Sequence, residues 1–504
     1  MTTFDADIAV LGSGFGGSLM ALVLKQIGLE PVVIDRATHP RFAIGESSTP
    51  TANMILADLA ERYDLPRLRP LASHGPWTET YPDVGVGRKR GFSYFRHEPE
   101  QPFVPDPAHE NELLVAASND PFRSDTQWLR ADVDAFLAGE VEAAGIPLLE
   151  GTELTTIERR GDRWQLDAAR NGERVHGTAD FVIDATGRAG VVAHALGIEQ
   201  ETAPLRTQSR AIFGHVRGVP SWREWMAAHG GRIDDHPYPC DEAAVHHVLD
   251  GAWLWELRFD DGRLSAGLVL DRTRHPLDPA VPPEAEWQQH LRRYPTLAQR
   301  YTDATLVDPP DGLVRTGRLQ RRTAQAAGPG WAALPFTVGF IDPLHSTGIA
   351  HTLAGVERLA RLVERHGLPL PADALAAYSD TTRRELDFID TLVAACYAAL
   401  PSFRAWTAST MLYFAAVTTY ERRRAAADGC AHAFANDFLC ADEDALRRIA
   451  DEAYRRVTAW SAPPASTPVA AYEQFIEEAV QPFNRVGLFD PPIANMYPHT
   501  AAPA

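Results

Sequence analysis

Lysine is almost absent from this 504-residue chain. Of its 48 basic residues only Lys25 and Lys89 are lysines, and every other one is arginine. Arginine serves for surface charge, but it cannot replace a compact amine that sheds a proton or carries a covalent adduct. Lys25 falls on the polar side of a predicted helix and needs no special role. Lys89 falls within Val86-Gly87-Arg88-Lys89-Arg90-Gly91-Phe92-Ser93-Tyr94-Phe95, whose alternation predicts a strand, a less ordinary place for a lone lysine. The four cysteines, Cys240, Cys396, Cys430 and Cys440, show no metal-ligand spacing and read as small buried hydrophobes, so no metal is expected.

A second chemical feature begins almost at the first residue. Phe4 to Leu11 predicts a strand, and Phe15 to Gly28 a helix with Leu19, Leu22, Val23 and Ile27 on one face. Between them lies Gly12-Ser13-Gly14-Phe15-Gly16-Gly17. Gly12 and Gly14 allow a tight turn and close approach to a pyrophosphate, Gly17 lets helix pack on strand, and the helix N-terminus offers amide donors. A second strand, Pro31-Val32-Val33-Ile34, delivers Asp35, beside Arg36, at the offset expected of a ribose contact. The stretch reads as a site for the ADP moiety of FAD or NAD. Phe181-Val182-Ile183 runs into Asp184-Ala185-Thr186-Gly187, a second turn of the kind that lies against a dinucleotide. Arg130 and Asp134 share a face of a helix predicted over 127–144. That arginine reaches either a phosphate or flavin edge, or only its i,i+4 partner at the surface.

Supporting elements follow from pattern and punctuation. A loop spans 36–50, a helix 51–63, and an irregular, Pro- and His-rich surface excursion 97–123. Alternating strands occupy about 205–325, with Trp253 and Trp255 on one face of theirs. An apolar strand over 331–340 leads through a loop to a helix over 349–366, which Ser346 or Thr347 can cap. From Pro371 onward the pattern is mostly helical, ending in a Pro-containing tail. A net charge of −19 disfavours nucleic-acid backbones. No apolar run is long enough to span a bilayer and no leader precedes Asp5, so a cytoplasmic enzyme without membrane attachment is expected. Oligomeric state is not legible.

Together these motifs resemble the FAD-dependent halogenases, especially the branch acting on phenols and related small aromatics. The likeness rests on the first glycine turn, Gly45-Glu46-Ser47-Ser48-Thr49-Pro50, Lys89-x-Gly91-x-x-x-Phe95, Trp253-x-Trp255 and Phe340-Ile341-Asp342-Pro343-Leu344-x-Ser346-x-Gly348, in family order across most of residues 1–370. It implies an α/β fold: a Rossmann-like FAD-binding domain (1–80, 126–204, 326–370), an interleaved antiparallel substrate sheet (81–125, 205–325) and a helical C-terminal region (371–504). It also implies reduced FAD supplied by a separate flavin reductase, a halide ion, and an aromatic substrate that is free or tethered to a carrier protein. Hypohalous acid made beside the flavin would pass through a tunnel to Lys89. Burial of that lysine would lower its pKa and expose the neutral, nucleophilic amine.

By the same resemblance Glu46 lies near the isoalloxazine and tunnel, Gly45 and Ser47 belong to the cofactor site, Asp342 bonds the ribityl chain, and the backbone of Thr347 and Gly348 holds the halide. His345 stands where the tryptophan-acting branch has Glu, either as a substrate-side acid or base of near-neutral pKa or as filler. Leu257-Arg258 replaces the family's Ile-Pro after the tryptophans, which implies an altered shield between flavin and substrate. Two other readings stay open: a halogenase-like flavoprotein that hydroxylates or dehydrogenates, with Lys89 binding substrate, and a non-catalytic FAD-binding subunit.

Overall fold

The computed structural model describes residues 2–426, 436–460 and 466–500. The strand Thr2–Leu11 is the centre of a first sheet. It runs parallel to Pro31–Ile34 on one side and to the long strand Glu173–Asp184 on the other. Trp331–Ala333 continues the parallel set beyond Glu173–Asp184, and Leu148–Leu149 beyond Pro31–Ile34. The register pairs Leu11 with both Ile34 and Asp184, so Gly12, Asp35 and Ala185 emerge together at one edge. That is where open α/β sheets bind nucleotides, outside the carboxyl ends of their strands. Strand Ile8–Leu11 is wholly buried, as parallel strands covered on both faces are. The helix Phe15–Ile27 covers one face and stops at Gly28, which is left-handed at φ 95°.

Among the described residues the second sheet has nine strands. In spatial order its main path is Thr305–Asp308, Ser209–Arg217, Leu264–Asp271, Ala252–Arg258, Ala244–Leu249, Gly91–Arg96, Glu112–Ala116 and Met496–Tyr497, with Val314–Arg315 also on Ser209–Arg217. It is mixed rather than wholly antiparallel, because Gly91–Arg96 joins Ala244–Leu249 in parallel and the C-terminal tail adds Met496–Tyr497 in parallel. Two further expectations fail here. The 97–123 stretch is not merely a surface excursion, since Glu112–Ala116 is a fully buried strand and Phe103 is buried. The single strand expected over 86–95 is two strands, broken at Arg90, whose amide turns to Glu242 O at 2.6 Å. Val86–Lys89 therefore leaves the large sheet and pairs with Asp125–Trp128 in a separate ribbon, Lys89 opposite Asp125. The helix expected from 127 starts at Arg130 for the same reason: Gln127 is held in that ribbon and bridged to Ser47.

Two more departures lie near the first sheet. The strand at 331 lasts only to Ala333, and Pro335 then opens a single helical turn to Val338. The following helix begins two residues early, Thr347–His366, and Ser346 at its N-cap is left-handed (φ 53°) with no capping hydrogen bond, so neither expected cap forms. Helices Ala372–Ala399 and Phe403–Ala426 close over this region. Buried charges lock them down. Arg424 bonds Glu357 at 2.8 Å, and Glu385 receives Arg358 and His351. Cys240, Cys396 and Cys440 are buried and free, as expected of small hydrophobes, whereas Cys430 lies outside the described residues. Among the described residues no helix is long and apolar enough to cross a membrane.

Candidate active site

Lys89 has no exposed surface. Its ammonium donates to Ser48 O at 2.6 Å and lies 4.1 Å from the Phe92 ring centroid. Burial pushes its pKa down to about 7, against the opposing pull of Asp125. The same burial pushes Asp125 up, and Lys89 opposes it. Asn53 holds Asp125 Oδ1 at 2.7 Å, while Asp125 Oδ2 is buried without a partner. Near neutrality the pair therefore offers an amine able to be either ammonium or free base. Neither Asp125 nor Asn53 stands out in the sequence. Asp125 becomes visible only through the ribbon register.

Phe92, the ring beside Lys89, belongs to a box of rings. Phe92 is stacked 5.9 Å from Tyr94, His246 stacks 4.9 Å from Tyr94, and Trp253 lies 4.9 Å from His246. Phe414 closes on Phe92 at 5.8 Å and Tyr413 follows at 5.4 Å. Tyr413 stacks on His345 at 4.1 Å and donates to His345 O at 3.0 Å. An unbroken aromatic wall thus joins Lys89 to the residues just before helix Thr347–His366. His345 sits in it as a neutral ring: burial drives its pKa to about 3, which corrects the expectation of a near-neutral acid or base. Its Nε2 is 3.6 Å from Cys396 Sγ.

Trp253 and Trp255 share a face, their ring centroids 6.0 Å apart. Arg258, two residues beyond Glu256, projects from the opposite face and bonds Asp241 at 3.0 Å and Pro220 O at 2.7 Å. It does not alter the tryptophan face, because strand side chains alternate and Leu257 occupies the position on that face.

The glycine turn is built tightly. Gly12 is left-handed at φ 100°, and a Cβ on Gly17 would stand 1.9 Å from Gly12 O. Only glycine lets the helix lie this close to the strand. Asp35 accepts from Ser13 N at 2.7 Å, Ser13 Oγ at 2.9 Å and Arg41 at 2.9 Å. Burial works against that charge, but Arg41 and the amides hold the carboxyl below its usual range. Arg36 beside it is exposed. Arg130 is buried rather than at the surface. It forms a bidentate pair with Asp134, donates to Ile44 O and Gly45 O, and stacks over Phe15 at 4.6 Å. Asp134 also takes the Phe15 amide at 3.2 Å, so this first-turn donor is directed at the carboxylate. Gly14 lies against the same pair, and Gly16 against Thr352 and Leu334. Asp184 is turned inward, accepting from Thr186 and from Val192 N, with Gly187 left-handed just after it.

Loop 45–48 joins the two regions. Trp128 N donates to Glu46 O at 2.5 Å, and Ser48 N to Thr126 O at 3.0 Å. Glu46 Oε1 accepts from His215 at 2.8 Å, a partner that sequence reasoning missed because it lies on a distant strand. Glu46 Oε2 and Ser47 Oγ are buried with no protein partner. Asp342 is a hub: Oδ2 accepts from Ser209 at 2.5 Å and Tyr397 at 2.9 Å, Tyr397 in turn accepting from Trp253 Nε1 at 3.0 Å. Burial raises its pKa to about 7 despite those bonds. At Gly348 an added Cβ would meet nothing within 4 Å, so open space adjoins the helix N-terminus, where the first amides have no intrahelical acceptors.

The chain is similar to known proteins. Residues 126–408 match the family described as tryptophan halogenase. The chain is 28% identical over 496 residues to monodechloroaminopyrrolnitrin halogenase PrnC of Pseudomonas fluorescens, covering 94% of this chain and 84% of that one. It is 27% identical to tetracycline 7-halogenase of Kitasatospora aureofaciens, covering 70% and 62% respectively. The crystal structure of halogenase PltM in complex with phloroglucinol and FAD superposes with a TM-score of 0.86 over 98% of this chain and 99% of that one, at 22% identity.

Proposed function

The chain belongs to the tryptophan halogenase family of FAD-dependent enzymes that halogenate aromatic compounds, and from that premise we propose that Lys89 delivers the halogen to a phenol-type substrate. The observation that carries this reading is one fully buried amine packed on Phe92 of an aromatic box that is continuous, ring to ring, with the start of helix Thr347–His366.

The glycine turn fits the ADP moiety by its close backbone approach. The orphaned Ser47 Oγ and Glu46 Oε2, with the open space at Gly348, fit a further polar group between loop 45–48 and that helix. Gly12 to Gly17, Asp35, Arg36, Gly45, Ser47, Asp184, Gly187 and Asp342 would hold or frame the cofactor, with Arg130 fixing Gly45. When bound there, reduced FAD would supply, with O2, the power to oxidise chloride or bromide to hypohalous acid. The Thr347 and Gly348 amides, at the positive end of a helix, bind the halide.

Lys89 then acts as a base-form amine. Its lone pair takes X⁺ from hypohalous acid, giving an N-halo amine and water, and the aromatic carbon takes X from nitrogen, returning the amine and losing a ring proton. The aromatic wall excludes bulk water, which would otherwise let hypohalous acid escape. Trp253, His246 and Tyr94 present flat, electron-rich faces for a planar substrate, free or carrier-tethered. A separate flavin reductase supplies reduced FAD.

The test is incubation of the protein with FAD, a flavin reductase, chloride or bromide and a panel of phenols, read by mass spectrometry. Halogen in the product supports the reading. Incorporated oxygen in its place would assign the protein to hydroxylation instead.

Glu46 faces the space between the two regions, and His215 holds it there. His215→Ala releases that carboxylate and is expected to lower halogenated product per O2 consumed about 10- to 100-fold, the effect of misplacing a group by an ångström. His215→Asn, which keeps a donor, should recover part of it. Equal coupling in all three proteins would remove His215 as a positioning residue.

A further inference from the structure

Away from this site, two segments far apart in sequence meet at one cluster whose side chains are buried. His109, Glu112 and His236 each turn one ligand atom inward, all within 4.8 Å of one another. His109 Nδ1 lies 2.5 Å from Glu112 Oε1, and His236 Nε2 lies 3.1 Å from Glu112 Oε2. The three side chains are at most 2% exposed. Beyond them Asp235 Oδ2 lies 3.1 Å from His109 Nε2 and is itself gripped by Arg232 at 2.9 Å.

His109 has a carboxylate at each ring nitrogen, Glu112 at Nδ1 and Asp235 at Nε2. With Nε2–H turned to Asp235, His109 Nδ1, Glu112 and His236 Nε2 converge as three lone-pair donors, the set that a divalent cation takes. The carboxylate–imidazole pair on the far side is the arrangement that fixes the tautomer and orientation of metal-bound histidines. We propose that His109 Nδ1, Glu112 and His236 Nε2 bind one zinc ion, with Asp235 orienting His109.

Two imidazoles and one carboxylate suit a borderline divalent ion such as Zn²⁺, and a tetrahedral site is completed by water or a fourth group. Tetrahedral bonds of about 2.0–2.2 Å put ligand atoms about 3.3–3.6 Å apart, so the contacts of 2.5 Å and 3.1 Å would open by about 1 Å or less on binding. The site is a clamp. His109 O accepts from Asn495 in the tail at 2.8 Å, and Glu112 opens the strand Glu112–Ala116 on which the tail pairs. His236 lies two residues before Tyr238, whose hydroxyl donates to Phe92 O at 2.6 Å beneath Lys89. Zinc there ties the tail and the 229–243 loop to the strand that carries the aromatic box. The sequence gives no sign of this cluster, because 109, 112 and 236 have no readable joint spacing.

The test is independent of halogenation. The full-length protein, expressed with added zinc, is dialysed without chelator and analysed for metal, then titrated with Zn²⁺ and Co²⁺ after stripping. Stoichiometric zinc, a rise in Tm on adding Zn²⁺, and visible Co²⁺ absorption support the site. Glu112→Gln and His236→Ala should each lose the metal, and Asp235→Asn should weaken Zn²⁺ affinity about 10- to 100-fold. Should those variants not fold, the wild type still decides: no zinc retained, no Tm rise and no Co²⁺ band would overturn the proposal. Metal retained equally in folded Glu112→Gln and His236→Ala would overturn it as well.

Discussion

Lys89→Ala is expected to abolish halogenated product while the folded protein still binds FAD and consumes reduced flavin and O2. The loss should be at least about 100-fold, the low end of what a positioned side chain contributes when it handles the reacting group directly. Lys89→Arg should fail equally, because guanidinium stays protonated and has no lone pair to offer. The wild type carries its own internal check. Burial sets the amine near pKa 7, so its free-base fraction, and with it the halogen-transfer rate, should rise as pH climbs through about 7 and level off above. Had Lys89 been an ordinary surface ammonium, that rise would come several units higher. Rapid-quench product analysis across pH distinguishes the two.

The largest stability effect is expected at Glu385. Its carboxylate is buried and receives Arg358 at 2.5 Å, His351 at 3.0 Å and Phe438 N at 2.6 Å, tying helix Ala372–Ala399 to helix Thr347–His366. Burial alone would raise its pKa, but Arg358 and His351 outweigh it and hold it at about 2. Glu385→Gln leaves the Arg358 guanidinium without its counter-charge, a change that costs about 3–5 kcal/mol for a buried pair. Urea unfolding at neutral pH measures it. Because the folded-state pKa lies below the unfolded one, this stabilisation is complete above the unfolded carboxylate pKa of about 4.3 and lost as pH falls toward 2. The variant's deficit should therefore shrink across that acid window. A deficit that stayed constant would show that Glu385 acts only by shape.

What the chain reveals on first reading depends on how local the cause is. The strand–turn–helix of residues 2–27 is written locally, in an apolar run, a glycine that must be left-handed, and Gly17, which must lack a Cβ. Lys89 is singled out by arginine usage and by its place in a strand-like motif, and it is buried. Partners joined only by folding are invisible: His215 to Glu46, Asp125 to Lys89 and Tyr397 to Asp342 meet across 169, 36 and 55 positions. The misread strands have the same origin. Nothing between 86 and 95 announces that Arg90 will break the strand, because its amide is claimed by Glu242 from another sheet region. Glu112–Ala116 hides among prolines and histidines whose cluster with His236 only the fold assembles. The tail at Met496–Tyr497 becomes a strand because Glu112–Ala116 offers a free edge. The Arg258 substitution looked consequential in the motif, yet the pleat sends it away from the tryptophans.

The most direct measurement is a single turnover with reduced FAD, O2 and chloride in the absence of any aromatic substrate, quenched and digested for peptide mass spectrometry. The account predicts chlorine on the peptide containing Lys89, lost again when a phenol is added before quenching and recovered in the product. Chlorinated phenol formed at the wild-type rate by Lys89→Ala, with no chlorine ever found at residue 89, would contradict it.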